Sequence, residues 1–374
     1  MSEIPINKLL AQTFPKSNKD EWKKIATSEL NGNEPFNQLT WKIQDELGFL
    51  PYYDKQILQD ISLRDRFIQR SKKDSFLGNR AWYNQPMVSV TSDAESNKSA
   101  LEHLKNGADG VLFNLRESQP DLSKLLNEIE PEYCALSFSG VTMHFAEKLH
   151  EYFSKRSIAS EKLSGAFFWG TLPSASHPVF AAKEFKSTGI QIPSGDPLNE
   201  IQHALIAGVN VLNTAKDERA LSTFANSIAF SLESKADFLT DIAKLKTLRL
   251  LWFQVVMAYG IKNFAPEDIH IHVTSSPWIK DEFQPHGNML KATTSAMAAI
   301  IGGCDALTVL PEDENNPTMD RIARNVSSVL REESHFDKVS DPLAGSYIIE
   351  AMIDQMAQEA WSMFQKNLYA NVEA

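Results

Sequence analysis

The chain has 374 residues, of which 43% are hydrophobic and 23% charged, and its formal net charge is −11. This composition is typical of a soluble globular protein with two or three domains, or with one large barrel and an extension. The negative charge argues against a nucleic-acid partner and against an anionic membrane. The two cysteines cannot build a disulfide framework, and neither an apolar run of about 18–20 residues nor a signal-peptide pattern is present, so we expect a cytoplasmic protein.

Residues 1–75 differ from the rest of the chain because they are polar and are interrupted by four prolines. A short amphipathic pattern over residues 19–30 predicts one helix. Such a segment cannot bury much apolar surface by itself, although it carries the scattered aromatic residues Phe14, Trp22, Phe36, Trp41, Phe49, Tyr52, Tyr53 and Phe67. We therefore predict an N-terminal arm that wraps over another surface, either that of its own barrel or that of a partner protein.

From about residue 85, short apolar runs rich in β-forming residues alternate with helical patterns. The predicted strands lie at residues 87–90, 110–114, 134–138, 165–169, 185–190, 228–232, 270–273 and 306–310. Eight strand–helix repeats predict an α/β fold with parallel strands, namely a (β/α)8 TIM barrel over residues 76–374. An open doubly wound sheet is the structural rival, but no G-x-G-x-x-G follows an early strand, which weakens its nucleotide-binding version.

Two helix assignments have clear signals in the sequence, and one apolar run is ambiguous. Apolar residues recur at steps of three or four from Phe238 to Tyr259, and Gly260 ends this pattern. Ser346 can cap the start of a last helix that carries an apolar stripe. The apolar run at residues 209–213 fits either a ninth strand or the end of a helix that begins near Leu198.

The sharpest local motif is Ile-His-Ile-His-Val at residues 269–273. Strand alternation places His270 and His272 on one face, which in a barrel is the lumen, while the isoleucines face the helices. An H-x-H pair can ligate a metal, but the other strand ends offer no matching ligands. The remaining interpretations are a pair of polar residues that face a ligand and a pair of hydrogen-bonded histidines that only fill the lumen.

Other catalytic motifs are missing from the sequence. There is no Walker loop, no H-E-x-x-H and no G-x-S-x-G, and no serine lies on a strand-to-helix elbow. Cys304 enters a strand at an apolar position, which favours a buried structural thiol over a nucleophile. The residues alone therefore predict a cytosolic α/β barrel with a polar lumen and no self-evident catalytic set.

Several longer stretches resemble the methylmalonyl-CoA mutase family. The C-terminal part carries DRIARN at 320–325, EES at 332–334, DPLAGSY at 341–347 and AW at 360–361, which resemble the family pattern ARIARN, QES, DP-x-x-GS-x-Y and AW. Residues 243–252 are similar to the family helix AKLRAARMLW, residues 272–278 to the strand THSQTSGW, and residues 296–299 to EAMAA. The resemblance covers roughly residues 85–365. It implies a barrel whose lumen threads an acyl-CoA, with adenosylcobalamin over its mouth.

Several positions depart from the pattern of the family's active subunits. The resemblance places Met87 where those subunits carry a tyrosine, and Gly189 or Ile190 where they carry the histidine that faces the thioester. No arginine occurs between Arg156 and Arg219, the stretch that holds the carboxylate-binding arginine of the family. The D-x-H-x-x-G of the cobalamin domain is not found either, so we expect no cobalamin bound to this chain alone.

These departures resemble the small, non-catalytic subunits of heterodimeric mutases, whose partner is a large catalytic subunit that carries adenosylcobalamin. On this interpretation no catalytic residue and no metal ligand is expected, and the substrate-binding candidates are His272, His270 and Lys291, the last of which occupies the position of a family arginine. Two alternatives stay open: a catalytic acyl-CoA mutase component that uses a separate cobalamin subunit, and a barrel that only binds an acyl-CoA or a protein.

Overall fold

The structure is a computed structural model that describes residues 18–43, 47–57, 80–116, 118–172, 183–235, 237–276 and 287–372. The chain forms two compact units: residues 1–65 with 345–355, and residues 66–344 with 356–374. Phe14 and Phe67 of the predicted arm lie outside the described residues. In the described part, none of the helices combines the length and the apolar character that crossing a bilayer requires.

The first unit contains two short helices, α1 (Lys19–Glu29) and α2 (Pro35–Leu39), and an antiparallel pair of strands, β1 (Trp41–Ile43) and β2 (Leu47–Phe49). The side chain of Asn18 accepts a hydrogen bond from Glu21 N at 2.9 Å and so caps α1. The Trp22 ring packs against Phe36 and Tyr52, at centroid distances of 5.5 and 5.3 Å. Several of the aromatic residues predicted to anchor the arm therefore contact one another.

The second unit is built from parallel strands that alternate with helices. Its strands are β3 (Tyr83–Asn84), β4 (Met87–Ser89), β5 (Gly110–Asn114), β6 (Ala135–Val141), β7 (Gly165–Trp169), β8 (Phe185–Gln191), β9 (Ile228–Ser234), β10 (His270–Ser275) and β11 (Ala306–Thr308). Its helices are α3 (Asp93–Lys105), α4 (Leu122–Leu125), α5 (Met143–Lys155), α6 (Pro197–Leu212), α7 (Glu218–Ser227), α8 (Phe238–Ala258), α9 (Gly287–Gly302) and α10 (Pro317–Glu332), and α11 (Tyr347–Val372) ends in this unit. All eight predicted strands are confirmed, and residues 209–213 prove to be the end of α6.

The sheet closes through its first strand, which proline divides into two pieces. β3 pairs with β11, and β4 pairs with β5, so both ends of the sheet meet in the segment 83–89. Pro86 has no backbone N–H, but its carbonyl oxygen accepts from Leu112 N at 3.0 Å, while Gln85 N donates to Leu307 O at 2.9 Å. The predicted α/β TIM-barrel class is therefore confirmed, with β3 and β4 acting as one barrel strand.

The core lies between the strands and the surrounding helices and is rich in aromatic rings. Phe138 on β6 packs against Phe113 on β5 at 5.5 Å and against Phe145 on α5 at 5.1 Å. Phe167 on β7 meets Phe185 on β8 edge-on at 4.8 Å. These outward-facing side chains fix the helices on the barrel, which leaves the inward-facing side chains to form the lumen.

Two Gly-x-Asp segments fasten the amino ends of barrel strands. Gly107 and Gly303 end helices α3 and α9 with positive φ values of 92° and 100°, and an aspartate follows each glycine two residues later. Asp109 accepts from Asn84 N at 2.7 Å, and Asp305 accepts from Ile271 N at 2.8 Å. Each carboxylate therefore bonds the backbone of an adjacent strand.

An arginine from a helix pairs with each of these carboxylates. Arg331 on α10 donates to both oxygens of Asp109, at 3.0 and 2.8 Å, and Arg249 on α8 donates to Asp305 at 2.6 Å. Arg249 also donates to the carbonyl oxygens of Ile269 and Gly303, each at 2.8 Å. At two places in the barrel, an arginine on a helix thus pairs with an aspartate in a loop, and the aspartate accepts a hydrogen bond from a neighbouring strand.

Candidate functional site

An open cleft of about 670 Å³ lies at the carboxyl ends of β7, β8, β9 and β10. It is lined by Trp169, Gly170, Leu172, Ile190, Gln191, Ile192, Pro193, Ala207, Ser231, Leu232, Glu233, Thr274, Ser275 and Leu310. This edge of a TIM barrel is where barrel enzymes place their ligand sites. The cleft is therefore the candidate functional site of the described chain.

The alternation of β9 and β10 places four polar side chains on the lumen face. Ser231 pairs in register with His272, and Glu233 pairs with Thr274 one step closer to the mouth. Ile271 and Val273 are fully buried on the opposite face, as the sequence predicts. Glu233 and Thr274 thus lie in the wall of the cleft, while Ser231 joins the cleft to His272 below it.

His272 is held by hydrogen bonds to both ring nitrogens. Thr308 Oγ1 donates to Gln85 O at 2.7 Å, so this hydroxyl must accept the hydrogen of His272 Nε2 at 2.9 Å. Ser231 Oγ, 2.9 Å from Nδ1, is then the donor to the unprotonated nitrogen. Burial lowers the pKa of His272 to about 4, because the charged ring would lose its hydration. His272 is therefore a neutral lumen histidine that is 1% exposed.

The other two candidate residues are placed apart from the cleft. His270 is buried at the first position of β10, which is the end of the strand away from the cleft. Lys291 lies on α9 and is exposed. Strand β10 thus brings the two histidines to one face, but none of the three residues is among those that line the cleft.

A buried network of charged side chains next to the cleft joins the carboxyl end of β9 to the amino ends of α6 and α8. The Lys244 ammonium is 2.7 Å from Glu200 Oε2 and 3.1 Å from Asp241 Oδ1, and it donates to Glu233 O at 2.8 Å. Lys235 pairs with Glu200 Oε1 at 3.3 Å. The two lysines are thus matched by two carboxylates, Glu200 and Asp241, and the network is neutral without the side chain of Glu233.

No sequence motif pointed to the carboxylate of Glu233. It takes part in no hydrogen bond or ion pair among the residues that the structure describes, and it is only half-buried in the cleft wall. Among the described residues that line the cleft it is the only charged side chain. The signal in the sequence was the alternation of Ser231 and Glu233 along one strand.

Strand β8 comes unusually close to β7 at the position where the family resemblance calls for a histidine. A Cβ atom added to Gly189 would overlap the carbonyl oxygen of Phe167 and would lie 2.6 Å from Phe168 Cδ1. The neighbouring Ile190 is buried and contributes apolar surface to the cleft. Neither position therefore presents a hydrogen-bond donor from a side chain.

The lumen below the cleft is filled with side chains. Phe168 packs against His272 with their ring centroids 5.1 Å apart, and it clusters with Leu112, Ala166 and Ala229. Met87, at the position where the family carries a tyrosine, packs against this cluster. The inner part of the barrel is thus a packed core.

The described residues do not offer a cobalt or other metal centre. No group of three or more histidine, cysteine, aspartate or glutamate side chains is arranged to hold a metal ion within that part of the chain. His272 uses both ring nitrogens in hydrogen bonds to Ser231 and Thr308. The donor set of the described residues therefore does not fit a cobalt-ligating role.

Cys304 lies at the amino end of β11 and is fully buried. Burial raises the pKa of its thiol to about 12, which disfavours the reactive thiolate. Its carbonyl oxygen accepts from Arg80 Nη2 at 2.7 Å. The predicted burial of Cys304 is confirmed, and it favours a structural thiol over a nucleophile.

Comparison with known proteins places this barrel in a family. The family model for methylmalonyl-CoA mutase matches residues 180–367. The methylmalonyl-CoA mutase small subunit of Porphyromonas gingivalis is 29% identical over 95% of this chain and 63% of its own length. The small subunit of Streptomyces virginiae is 24% identical over 98% of this chain and 66% of its length, and the human mitochondrial methylmalonyl-CoA mutase is 23% identical over 92% and 54%.

The chain spans less than two thirds of the length of these relatives. The matched region contains β8 to β11 and most of the cleft, and the longer alignments include the whole barrel. The chain therefore belongs to the methylmalonyl-CoA mutase family.

Proposed function

We propose that this chain is the barrel of a small, catalytically silent subunit of a cytoplasmic methylmalonyl-CoA mutase. The complex would interconvert methylmalonyl-CoA and succinyl-CoA, and a large subunit would supply adenosylcobalamin and the catalytic barrel. The small subunits among the similar proteins support the role in a complex. The proposal that this subunit is catalytically inactive rests on the side chains of the barrel itself.

The main support for a catalytically inactive barrel is the close approach of β7 and β8 at Gly189. The resemblance to the family calls for a histidine there that donates to the thioester carbonyl, and the overlap with Phe167 O leaves no room for any side chain. Loss of one such donor typically costs 10²–10³ in rate. Ile190, the other candidate position, adds only apolar surface.

The charge of the cleft supports the same conclusion. The substrates of the family carry a carboxylate, which needs a cation, whereas the charged side chain that lines the described cleft is the carboxylate of Glu233. An unpaired buried charge costs on the order of 3–5 kcal/mol. If this cost falls on the transition state, the rate decreases by roughly 10² to 10³ or more.

Adenosylcobalamin belongs to this proposal only at the level of the complex. Bound there, it would supply the cobalt–carbon bond that the rearrangement needs. The described residues of this barrel do not fit a cobalt-ligating role, so its own side chains are given no part in that chemistry.

Substitution of His272 by alanine tests whether this barrel is catalytically inactive. We expect the reconstituted complex to keep its turnover within about twofold, an effect below ~0.5 kcal/mol, because Ser231 and Thr308 already engage both ring nitrogens of His272. The measurement is succinyl-CoA formation by wild-type and variant complexes at matched concentrations of folded protein, with circular dichroism as the check on folding.

His144→Ala, at an exposed position on α5, is the matched control for this experiment. A loss of a hundredfold or more in His272→Ala, with His144→Ala unchanged, would mean that this barrel performs the chemistry. The alternative of a catalytic component would then replace the proposal.

The first unit offers a surface for the large subunit. Ile25, Leu39 and Trp41 are 60%, 44% and 37% exposed, so this unit presents several large apolar side chains at its surface. An arm of about 75 residues can contribute to the roughly 2,000 Å² or more that permanent complexes bury. We propose that this arm wraps the partner barrel.

Deletion of residues 1–75 is expected to abolish co-purification with the large subunit, because the apolar contacts of the arm would be lost. A triple variant, Ile25→Ser, Leu39→Ser and Trp41→Ser, should weaken the complex while it keeps the length of the arm. Tyr133→Ser, at a residue that is 85% exposed on the second unit, is the matched control. Unchanged co-purification after the deletion would contradict the role of the arm.

A further inference from the structure

The cleft combines apolar walls with one negative charge. Trp169, Ile190, Ile192 and Leu310 supply apolar surface, and the carboxylate of Glu233 lies in the same wall. The volume of about 670 Å³ lies within the roughly 300–1,000 Å³ typical of small-molecule sites. Sites of this kind take an apolar ligand body and orient it by a few polar groups.

Within the described part of the chain, no cation pairs with the Glu233 carboxylate. Lys244 and Lys235 are paired with Glu200, and Lys244 also with Asp241. At about 4 Å, two unit charges near a protein surface interact by ~4 kcal/mol. A ligand anion would therefore be repelled by Glu233, and a ligand cation would be attracted.

A second acceptor lies beside this carboxylate. Thr274 is the register partner of Glu233 on the adjacent strand, and both side chains line the cleft. Neighbouring strands lie about 4.8 Å apart. A single ammonium group can therefore donate to the Glu233 carboxylate and to the Thr274 hydroxyl at the same time.

We propose that this cleft binds a small molecule that joins an apolar body to a cationic nitrogen, with Glu233 as its counter-charge and Thr274 as a second acceptor. A metal ion is a poorer occupant, because a single carboxylate is too few ligands and no further set is grouped around it among the described residues. The site goes beyond the proposed silent role, since binding of such a ligand requires no mutase chemistry.

The proposal can be tested with three probes that share a phenylethyl group and differ in the charge of their polar end. Phenethylamine is cationic, 2-phenylethanol is neutral and 3-phenylpropionate is anionic. Each is titrated into the full chain with 13C-labelled isoleucine methyl groups, so that Ile190 and Ile192 report binding in the cleft and Ile25 reports nonspecific effects. We expect saturable shifts at Ile190 and Ile192 with phenethylamine, and at least tenfold weaker binding of 3-phenylpropionate.

Two variants distinguish the effect of the charge of Glu233 from the effect of the space in the cleft. Glu233→Gln keeps the volume of the side chain and should weaken phenethylamine binding about tenfold or more, while Glu147→Gln, at an exposed position on α5, should change nothing. Gly170→Phe should abolish binding of all three probes. Gly170 lines the cleft, and an added Cβ has no neighbour closer than 4.0 Å, so the fold should tolerate it.

Three results would each overturn the proposal. They are equal or tighter binding of 3-phenylpropionate, an affinity of Glu233→Gln within twofold of the wild-type value, and no saturable shift with phenethylamine up to about 20 mM, where even a millimolar Kd would show. Binding that persists in a folded Gly170→Phe variant would place the probe elsewhere and would equally contradict the assignment.

Discussion

Gly189→His is expected to destabilise the barrel strongly rather than to restore the histidine of the active family members. The new Cβ would overlap Phe167 O, a backbone atom in the centre of the sheet, and a backbone strand cannot rotate away as a side chain can. Overpacking of a core usually costs 1–3 kcal/mol, and we expect about 3 kcal/mol or more here because the obstacle is backbone. The free energy of unfolding from urea denaturation measures the effect.

Gly170→His is the control for this substitution, because an added Cβ there meets nothing closer than 4.0 Å. We expect its stability to stay within about 0.5 kcal/mol of the wild-type value. A Gly189→His protein that folds with nearly wild-type stability would show that β7 and β8 can separate. The steric overlap at Gly189 would then no longer support a catalytically inactive barrel.

Asp305→Ala is expected to cause the second large loss. Burial alone would raise the pKa of this carboxyl, but the guanidinium of Arg249 and the N–H of Ile271 hold it below its ordinary value, so the group is charged in the folded barrel. Removal of the carboxylate leaves Arg249, which is 3% exposed, without its counter-charge. Breaking such a pair costs about 3–5 kcal/mol. Urea denaturation at neutral pH measures the difference.

Glu151→Ala is the matched comparison, since it breaks an ion pair with Lys155 whose side chains are 64% and 72% exposed. A loss of no more than about 0.5 kcal/mol is expected there. Asp109→Ala should cost about as much as Asp305→Ala, because the Asp109 and Arg331 side chains are 14% and 13% exposed, against 22% and 3% for Asp305 and Arg249. Equal losses for all three variants would refute the view that burial makes the aspartates critical.

The sequence by itself determined the order and type of the barrel elements. Strands β5 and β7 lie where the apolar runs predicted them, at Gly110–Asn114 and Gly165–Trp169, and helix α8 begins at Phe238 as its periodicity indicated. These features are local, because the alternation of a strand and the 3.6-residue repeat of a helix depend on neighbours in the chain. The family motifs were recognisable for the same reason, since each is a short contiguous string.

Only the tertiary structure decided what the polar residues of the lumen do. His272 was singled out from the sequence, but its engagement depends on Thr308, 36 residues away, and on Ser231, 41 residues away. No motif marks Glu233, and among the described residues its carboxylate has no cationic partner because Lys235 and Lys244 pair with Glu200 and Asp241. The overlap at Gly189 likewise depends on a carbonyl group of another strand. Periodicity shows which face a side chain takes, whereas charge balance, burial and steric room depend on contacts between residues that are distant in the chain.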